Sequence, residues 1–122
     1  WDGIFFDRIL CDVPCSASGI IRRHPDIKYL RNEADLTQLP KLQLAILTAL
    51  WPLLAPGGVL VYSTCSVMPQ ENDAVMAKWL AQTSDACLIN LPEDLGLKTI
   101  YGRQRLPGDN NMDGFYYAKV IK

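Results

Sequence analysis

The sequence predicts an α/β fold built from parallel strand–helix–strand units, and three observations carry that expectation. Two nearly continuous apolar runs, one within Phe5 to Leu10 and one over Val59 to Thr64, read as buried strands. Between them Leu42, Ile46, Ala49, Leu50 and Leu53 recur at helical spacing. After the second run, Val75, Met76, Trp79 and Leu80 repeat that spacing. Strands that alternate with helices of roughly ten residues or more pair in parallel, because the crossover helix returns the chain to the same sheet end.

Each element follows in order. Phe5 to Asp12 is a strand ending in an acid, and its nearly continuous apolar run suits a strand covered on both faces. Val13 to Asp35 holds Pro14, Gly19 and Pro25 and reads mostly as loop. So long a loop in a compact domain is usually functional. A helix runs from Leu39 to the breakers Ala55-Pro56-Gly57-Gly58. Val59 to Thr64 is β-branched and aromatic, hence a strand. Pro69 to Ala81 is a second helix with proline near its first turn. Cys87-Leu88-Ile89 is a short strand, Pro92 to Asn111 a loop, and Gly114 to Ile121 a closing strand. No helix separates the last two strands, so they are expected to be antiparallel. Ligands of open α/β sheets sit beyond the carboxyl ends of the strands. Here those ends are Asp12 to Cys15 and Thr64-Cys65-Ser66, so both cysteine turns belong on one rim.

Composition sets the outer limits. The 122 residues suffice for one domain. With 12 basic and 13 acidic residues, a net charge of −1 gives no global signal for nucleic acid, though a local one is compatible with it. No apolar run reaches the ~18 residues that a membrane-spanning helix needs. The chain opens at Trp1, close to the run Ile4-Phe5-Phe6 and without a signal segment. That is the expectation for a piece of a longer, cytoplasmic protein. Of the four cysteines, Cys11 and Cys15 form one loose pair with no matching second pair, and His24 is the only histidine. Such a set argues against structural metal and for free thiols.

The rim carries the chemistry. A thiol attacks only as thiolate, which nearby positive charge or hydrogen-bond donors must favour. Beside Cys15, Arg22 and Arg23 are candidates for that field; beside Cys65, the amides of the following helix start are. On residue types alone, each cysteine reads equally as a small packed side chain. Two thiols on one rim make the sharper signal.

These residues resemble a known family. Asp12-Val13-Pro14-Cys15-Ser16, followed by Gly19, is similar to motif IV of the RNA cytosine-5 methyltransferases. Thr64-Cys65-Ser66-Val67 is similar to their motif VI, and Pro56-Gly57-Gly58 with Val61-Tyr62-Ser63 to its lead-in. Gln70-Glu71-Asn72 resembles the segment after the motif VI cysteine, and Asp113 to Lys119 the closing strand. Ile20 to Asp26, IIRRHPD, narrows the likeness to the bacterial Sun/Fmu branch, the ribosomal RNA small-subunit methyltransferase B type.

The resemblance implies the carboxyl-terminal half of a Rossmann-like sheet, with residues 1–122 a partial catalytic domain. It implies methyl transfer from S-adenosylmethionine to carbon 5 of a cytosine in 16S ribosomal RNA. The motif VI cysteine, Cys65, would be the nucleophile, Cys15 would serve product release, and Asp12 would lie where cofactor meets target base. Arg22, Arg23 and Lys28, with Arg31, would contact RNA phosphates, although such charges are more often merely solvated. Met68, Met76 and Trp79 read as core. The family's glycine-rich cofactor loop and its ribose-binding acid are not in these residues, so the chain alone is expected neither to hold the cofactor tightly nor to methylate RNA. The sheet edge beside the first strand is expected to be open and to favour self-association. Two other readings stand beside the enzyme. One is a non-catalytic RNA-binding or ribosome-assembly module that keeps the fold. The other is an amino-group methyltransferase, in which both thiols would be idle.

Overall fold

The computed structural model describes residues 3–122; Trp1, where the chain opens, lies outside them. Strand β1 (Phe6–Asp12) leads through a loop with one 3-10 turn and the short helix α1 (Ile27–Leu30) into the long helix α2 (Glu33–Leu50). Strand β2 (Leu54–Thr64), helix α3 (Asp73–Leu80) and strand β3 (Cys87–Ile89) follow. The chain closes with β4 (Leu97–Lys98), β5 (Arg103–Arg105) and β6 (Phe115–Ile121).

The sheet is six-stranded, with path β1-β2-β6-β5-β4. β1 and β2 are parallel, joined by the α2 crossover as the sequence predicts, with Asp12 opposite Ser63. β6 inserts antiparallel to β2, pairing Val59 with Ile121 and Thr64 with Tyr116. Its other edge is shared: β3 pairs residues 119–121, and β5 pairs residues 115–117, both antiparallel. The antiparallel closing strand is therefore as the missing crossover helix implies.

Alternation along the strands fixes which face is core. Leu60 and Tyr62 of β2 and Tyr116, Ala118 and Val120 of β6 are fully buried. They pack with Leu47 of α2 and with Val75, Met76 and Trp79 of α3. Trp51 meets Trp79 edge to face, with ring centroids 4.9 Å apart. Each such large side chain contributes about 1.5–3 kcal/mol by leaving water. Met76 and Trp79 are thus core, as read; Met68 is only half-buried.

Four features depart from the sequence reading. First, β1 is not covered on both faces: among its residues only Cys11 is buried, and Leu10 is 71% exposed. β1 ends the path of the sheet, and the helices described pack on one face only. Second, α2 begins six residues before Leu39. A capping box stabilises that start, with the Asn32 side chain accepting from the Asp35 amide and the Asp35 carboxylate accepting from the Asn32 amide. Pro40 lies inside the helix, where its missing N–H leaves one helical bond unmade. Third, Ala55 to Gly58 do not simply end a helix. They form an irregularity within β2, where the register against β1 shifts between Phe6 and Arg8. Gly57 takes φ +77° there, and its amide donates to the Lys122 carbonyl at 2.8 Å. Fourth, the segment read as loop from Pro92 to Asn111 contains β4 and β5.

Candidate active site

The parallel pairing of β1 and β2 puts their carboxyl ends side by side, so the two turns that follow meet on one rim. The first turn carries Cys15 and the second Cys65, and their sulfurs lie 3.4 Å apart. Both are half-buried, and both are free thiols. The separation allows an S–H···S hydrogen bond and is far from the ~2.05 Å of a disulfide.

One proton shared between two sulfurs cannot sit equally on both. Cys15 acts as the donor, and its bond is the largest influence on Cys65, whose pKa falls to about 7 despite burial and the nearby Asp12 and Glu71 carboxylates. Cys15 is pushed up, because donating that bond and being buried both favour its protonated form. Near neutral pH Cys65 is thus the sulfur that ionises, and Cys15 the one that keeps its proton. The field comes from the neighbouring thiol, not from the sources named from sequence. Arg22 and Arg23 turn away to Asn111 and Asp113. The following helix begins only at Asp73.

Asp12 is exposed at the end of β1, held by the Ser63 hydroxyl, which donates to Oδ1 at 2.8 Å. Its charge disfavours the Cys65 thiolate. Arg22, Arg23 and Lys28 are all exposed. Arg22 donates to the side chain and carbonyl of Asn111, at 2.8 and 3.0 Å. Arg23 pairs with Asp113 at 3.0 Å. Lys28 stands 4.8 Å above the Tyr29 ring, and Arg31 donates to the Ser16 carbonyl at 2.9 Å. The loop of basic residues is thus tied to the chain's last turn, with its cations at the surface.

Beneath the thiols lies a layer that residue-type reading missed. Glu71 is fully buried, and its carboxylate accepts four hydrogen bonds. Oε1 accepts from the Ser16 amide at 2.8 Å and Gln43 Nε2 at 3.1 Å; Oε2 accepts from the Ser16 hydroxyl at 2.6 Å and the Ser66 hydroxyl. Asn72 accepts from the Thr64 hydroxyl at 2.6 Å and donates to the Ser66 carbonyl at 3.0 Å. Ala17 adopts a left-handed conformation, φ 60°, a strain that the turn tolerates where Ser16 and Ser18 both bond into the Cys65 turn. Gly19 is required by closeness: its amide donates to the Cys65 carbonyl at 2.8 Å, and a Cβ there would lie 2.1 Å from the Gly114 carbonyl oxygen. Only the proximity of Gln70-Glu71-Asn72 to the cysteine motif signalled this layer.

Among the described residues no three His, Cys, Asp or Glu side chains converge as a metal site. No helix among them is long and apolar enough to cross a membrane.

A sheet with this antiparallel inserted strand and its site on the parallel rim is that of the S-adenosylmethionine-dependent methyltransferases. A methyltransferase homolog protein from Pyrococcus horikoshii aligns at a TM-score of 0.79 and 32% identity, over 98% of this chain and 40% of that one. NSun6 from Pyrococcus horikoshii, solved with SFG, aligns at a TM-score of 0.83 and 29% identity, over 98% of this chain and 31% of that one. The chain belongs to the family described as 16S rRNA methyltransferase RsmB/F, which it matches over residues 1–121. It is 55% identical over 117 residues to ribosomal RNA small subunit methyltransferase B of Salmonella arizonae, covering 96% of this chain and 26% of that protein. Its identity to the Shewanella oneidensis protein of the same name is 52% over 122 residues, covering 100% and 28%. The chain thus spans about a quarter of the length of these curated relatives.

Proposed function

We propose that the chain carries the catalytic thiols of an enzyme that methylates carbon 5 of a cytosine in 16S ribosomal RNA through a covalent cysteine–cytosine intermediate. The observation that carries this reading is the meeting of two free thiols, Cys15 and Cys65, 3.4 Å apart on the rim where β1 and β2 end. S-adenosylmethionine, when bound, supplies an electrophilic methyl group; the neighbour solved with SFG, an analogue of it, supports that choice. The fit of this chain to the cofactor is partial. Asp12 offers an exposed carboxylate at the end of β1, while no glycine-rich turn follows β1 or β2. The greater part of the cofactor site is therefore assigned to the three quarters of the relatives' length that the chain does not span.

Within that reading each residue has a role. The Cys65 thiolate adds to carbon 6 of the ring, and the electrons displaced make carbon 5 nucleophilic. Asp12 accepts a hydrogen bond from the polar edge of a base drawn out of any helix. After carbon 5 is methylated it must lose a proton. That proton passes to solvent water, the electron pair of the broken C–H bond re-forms the ring double bond, and the sulfur leaves carbon 6 as the thiolate. Cys15 assists that release, a role supported by its 3.4 Å distance from the leaving sulfur. Arg22, Arg23 and Lys28 contact phosphates. Arg22 is bonded to a neutral amide and keeps its full charge, whereas Asp113 offsets part of Arg23's.

RNA bearing 5-fluorocytosine tests this in the complete protein. Fluorine at carbon 5 cannot leave as a proton does, so an enzyme of this kind stalls as a covalent adduct that survives denaturation. An RNA-binding or assembly module forms none, and its absence in a cofactor-loaded, RNA-bound protein would refute the reading. An amino-group methyltransferase would methylate the RNA without trapping.

A further inference from the structure

The buried carboxylate of Glu71 has no part in the chemistry above, yet it touches both cysteine turns. Ser16 follows Cys15 and Ser66 follows Cys65, and each serine donates to Glu71; Ser16 does so twice, through its amide and its hydroxyl. Gln43 adds a fourth donor from α2 and also reaches the Pro14 carbonyl at 2.9 Å. Glu71 lies between β2 and α3, and its backbone is tied back to β2, where the Tyr62 hydroxyl donates to the Glu71 carbonyl at 2.6 Å. Ser18, within the first turn, also bonds both serine hydroxyls, at 3.1 Å each; Glu71 holds them from outside both turns.

Burying a carboxylate is costly unless donors surround it, and a bridge held by four donors has one geometry. We propose that Glu71 is a positioning residue that registers the Cys15 and Cys65 turns on each other, so that the two sulfurs stay within hydrogen-bond reach. The proposal rests on the function above only for naming Cys65 the attacking thiol.

Two effects of Glu71 oppose each other at Cys65, and this makes the idea testable. Its negative charge disfavours the thiolate, whereas the register it imposes keeps the Cys15 donor in place, the larger influence. The groups around the pair are Asp12 at the end of β1, Tyr62 within β2, Glu71 ahead of α3, and Arg31, whose guanidinium is spent on the Ser16 carbonyl. Removing only the charge would lower the Cys65 midpoint. Removing the register would raise it. A mere filler of space would leave it unmoved.

The measurement is the pH dependence of Cys65 alkylation by iodoacetamide in the complete protein, read by peptide mass spectrometry, without RNA or cofactor. A failure here therefore leaves the methyltransferase reading intact, and the reverse also holds. In Glu71→Gln one carboxylate oxygen becomes an amide nitrogen that cannot accept from the serines. We expect a folded protein, judged by its circular dichroism, whose Cys65 midpoint rises from about 7 toward the ordinary thiol value. A rise to ~8.5 cuts the thiolate fraction at pH 7 roughly fifteenfold. Glu71→Asp, which keeps the charge and an acceptor, is expected to return part of that shift. Should Glu71→Gln not fold, Ser66→Ala removes one strand of the bridge and is expected to move the midpoint the same way by less. A folded variant with an unmoved or lowered midpoint would overturn the proposal.

Discussion

Replacing Cys15 by alanine separates attack from release. The variant loses the sulfur that donates to Cys65, so what remains at Cys65 is burial and the Asp12 and Glu71 charges, which disfavour the thiolate, set against one backbone hydrogen bond of smaller influence than burial or Asp12. Its midpoint moves from about 7 to at or above the ordinary ~8.5. At pH 7 the thiolate fraction then falls from about one half to about one thirtieth. The more basic thiolate is also the better nucleophile. With a Brønsted slope of ~0.4–0.5 the shift returns roughly fivefold, leaving attack about threefold slower. Attack therefore survives while release loses its helper, and covalent protein–RNA complex should accumulate with ordinary cytosine. The assay is a denaturing gel of the complete Cys15→Ala protein with RNA and cofactor across a pH series. Because a thiolate attacks, the rate of complex formation falls as pH drops through the Cys65 midpoint. The wild-type rate of attack should level off just above pH 7, and the variant's should go on rising beyond ~8.5. An unshifted profile, or no complex at any pH, would refute the reasoning.

Three further outcomes follow from the same geometry. Asp12→Asn removes a charge that raises Cys65, so alkylation of Cys65 at pH 6 should quicken while methyl transfer falls; slower alkylation would contradict the placement of Asp12. Gly19→Ala forces a Cβ to 2.1 Å from the Gly114 carbonyl oxygen and 2.8 Å from that of Cys65, both backbone atoms. Overpacking of that kind costs about 1–3 kcal/mol, and a lower urea midpoint with lost activity is expected; unchanged stability would show that the turns have slack. Arg22→Ala and Lys28→Ala should each weaken RNA binding and reduce the salt slope by about one, and Arg23→Ala by less, because Asp113 already offsets part of its charge. Equal losses for all three would contradict that ranking.

What the sequence made legible was the part written in local patterns. β2 and β6 are β-branched and aromatic, and their alternation survives in the burial of Leu60, Tyr62, Tyr116, Ala118 and Val120. Both cysteines follow strands whose parallel pairing the crossover helix dictates, so their meeting on one rim was readable. β4 and β5 were not. They are two and three residues long, Arg103-Gln104-Arg105 has no apolar period, and β5 exists through its pairing with β6. The early start of α2 was written in Asn32 and Asp35, but Pro40 reads from sequence as a helix beginning. The exposure of β1 was hidden because an apolar run states a preference for cover and not who supplies it. Glu71 was the hardest, since a glutamate between polar neighbours is ordinarily at the surface; its donors, the serines after each cysteine and Gln43, come from three separate parts of the sequence. The acidity of Cys65 was likewise invisible, because its source is a thiol 50 residues away in sequence.

The central claim is that Cys65, and not Cys15, bonds to the base. It is tested most directly by trapping the complete protein on RNA with 5-fluorocytosine, digesting both components, and locating the nucleotide mass by peptide sequencing. The account predicts the added mass on the peptide containing Thr64-Cys65-Ser66, with trapping lost in Cys65→Ala. A nucleotide on the peptide containing Pro14-Cys15-Ser16, persisting in Cys65→Ala, would contradict it.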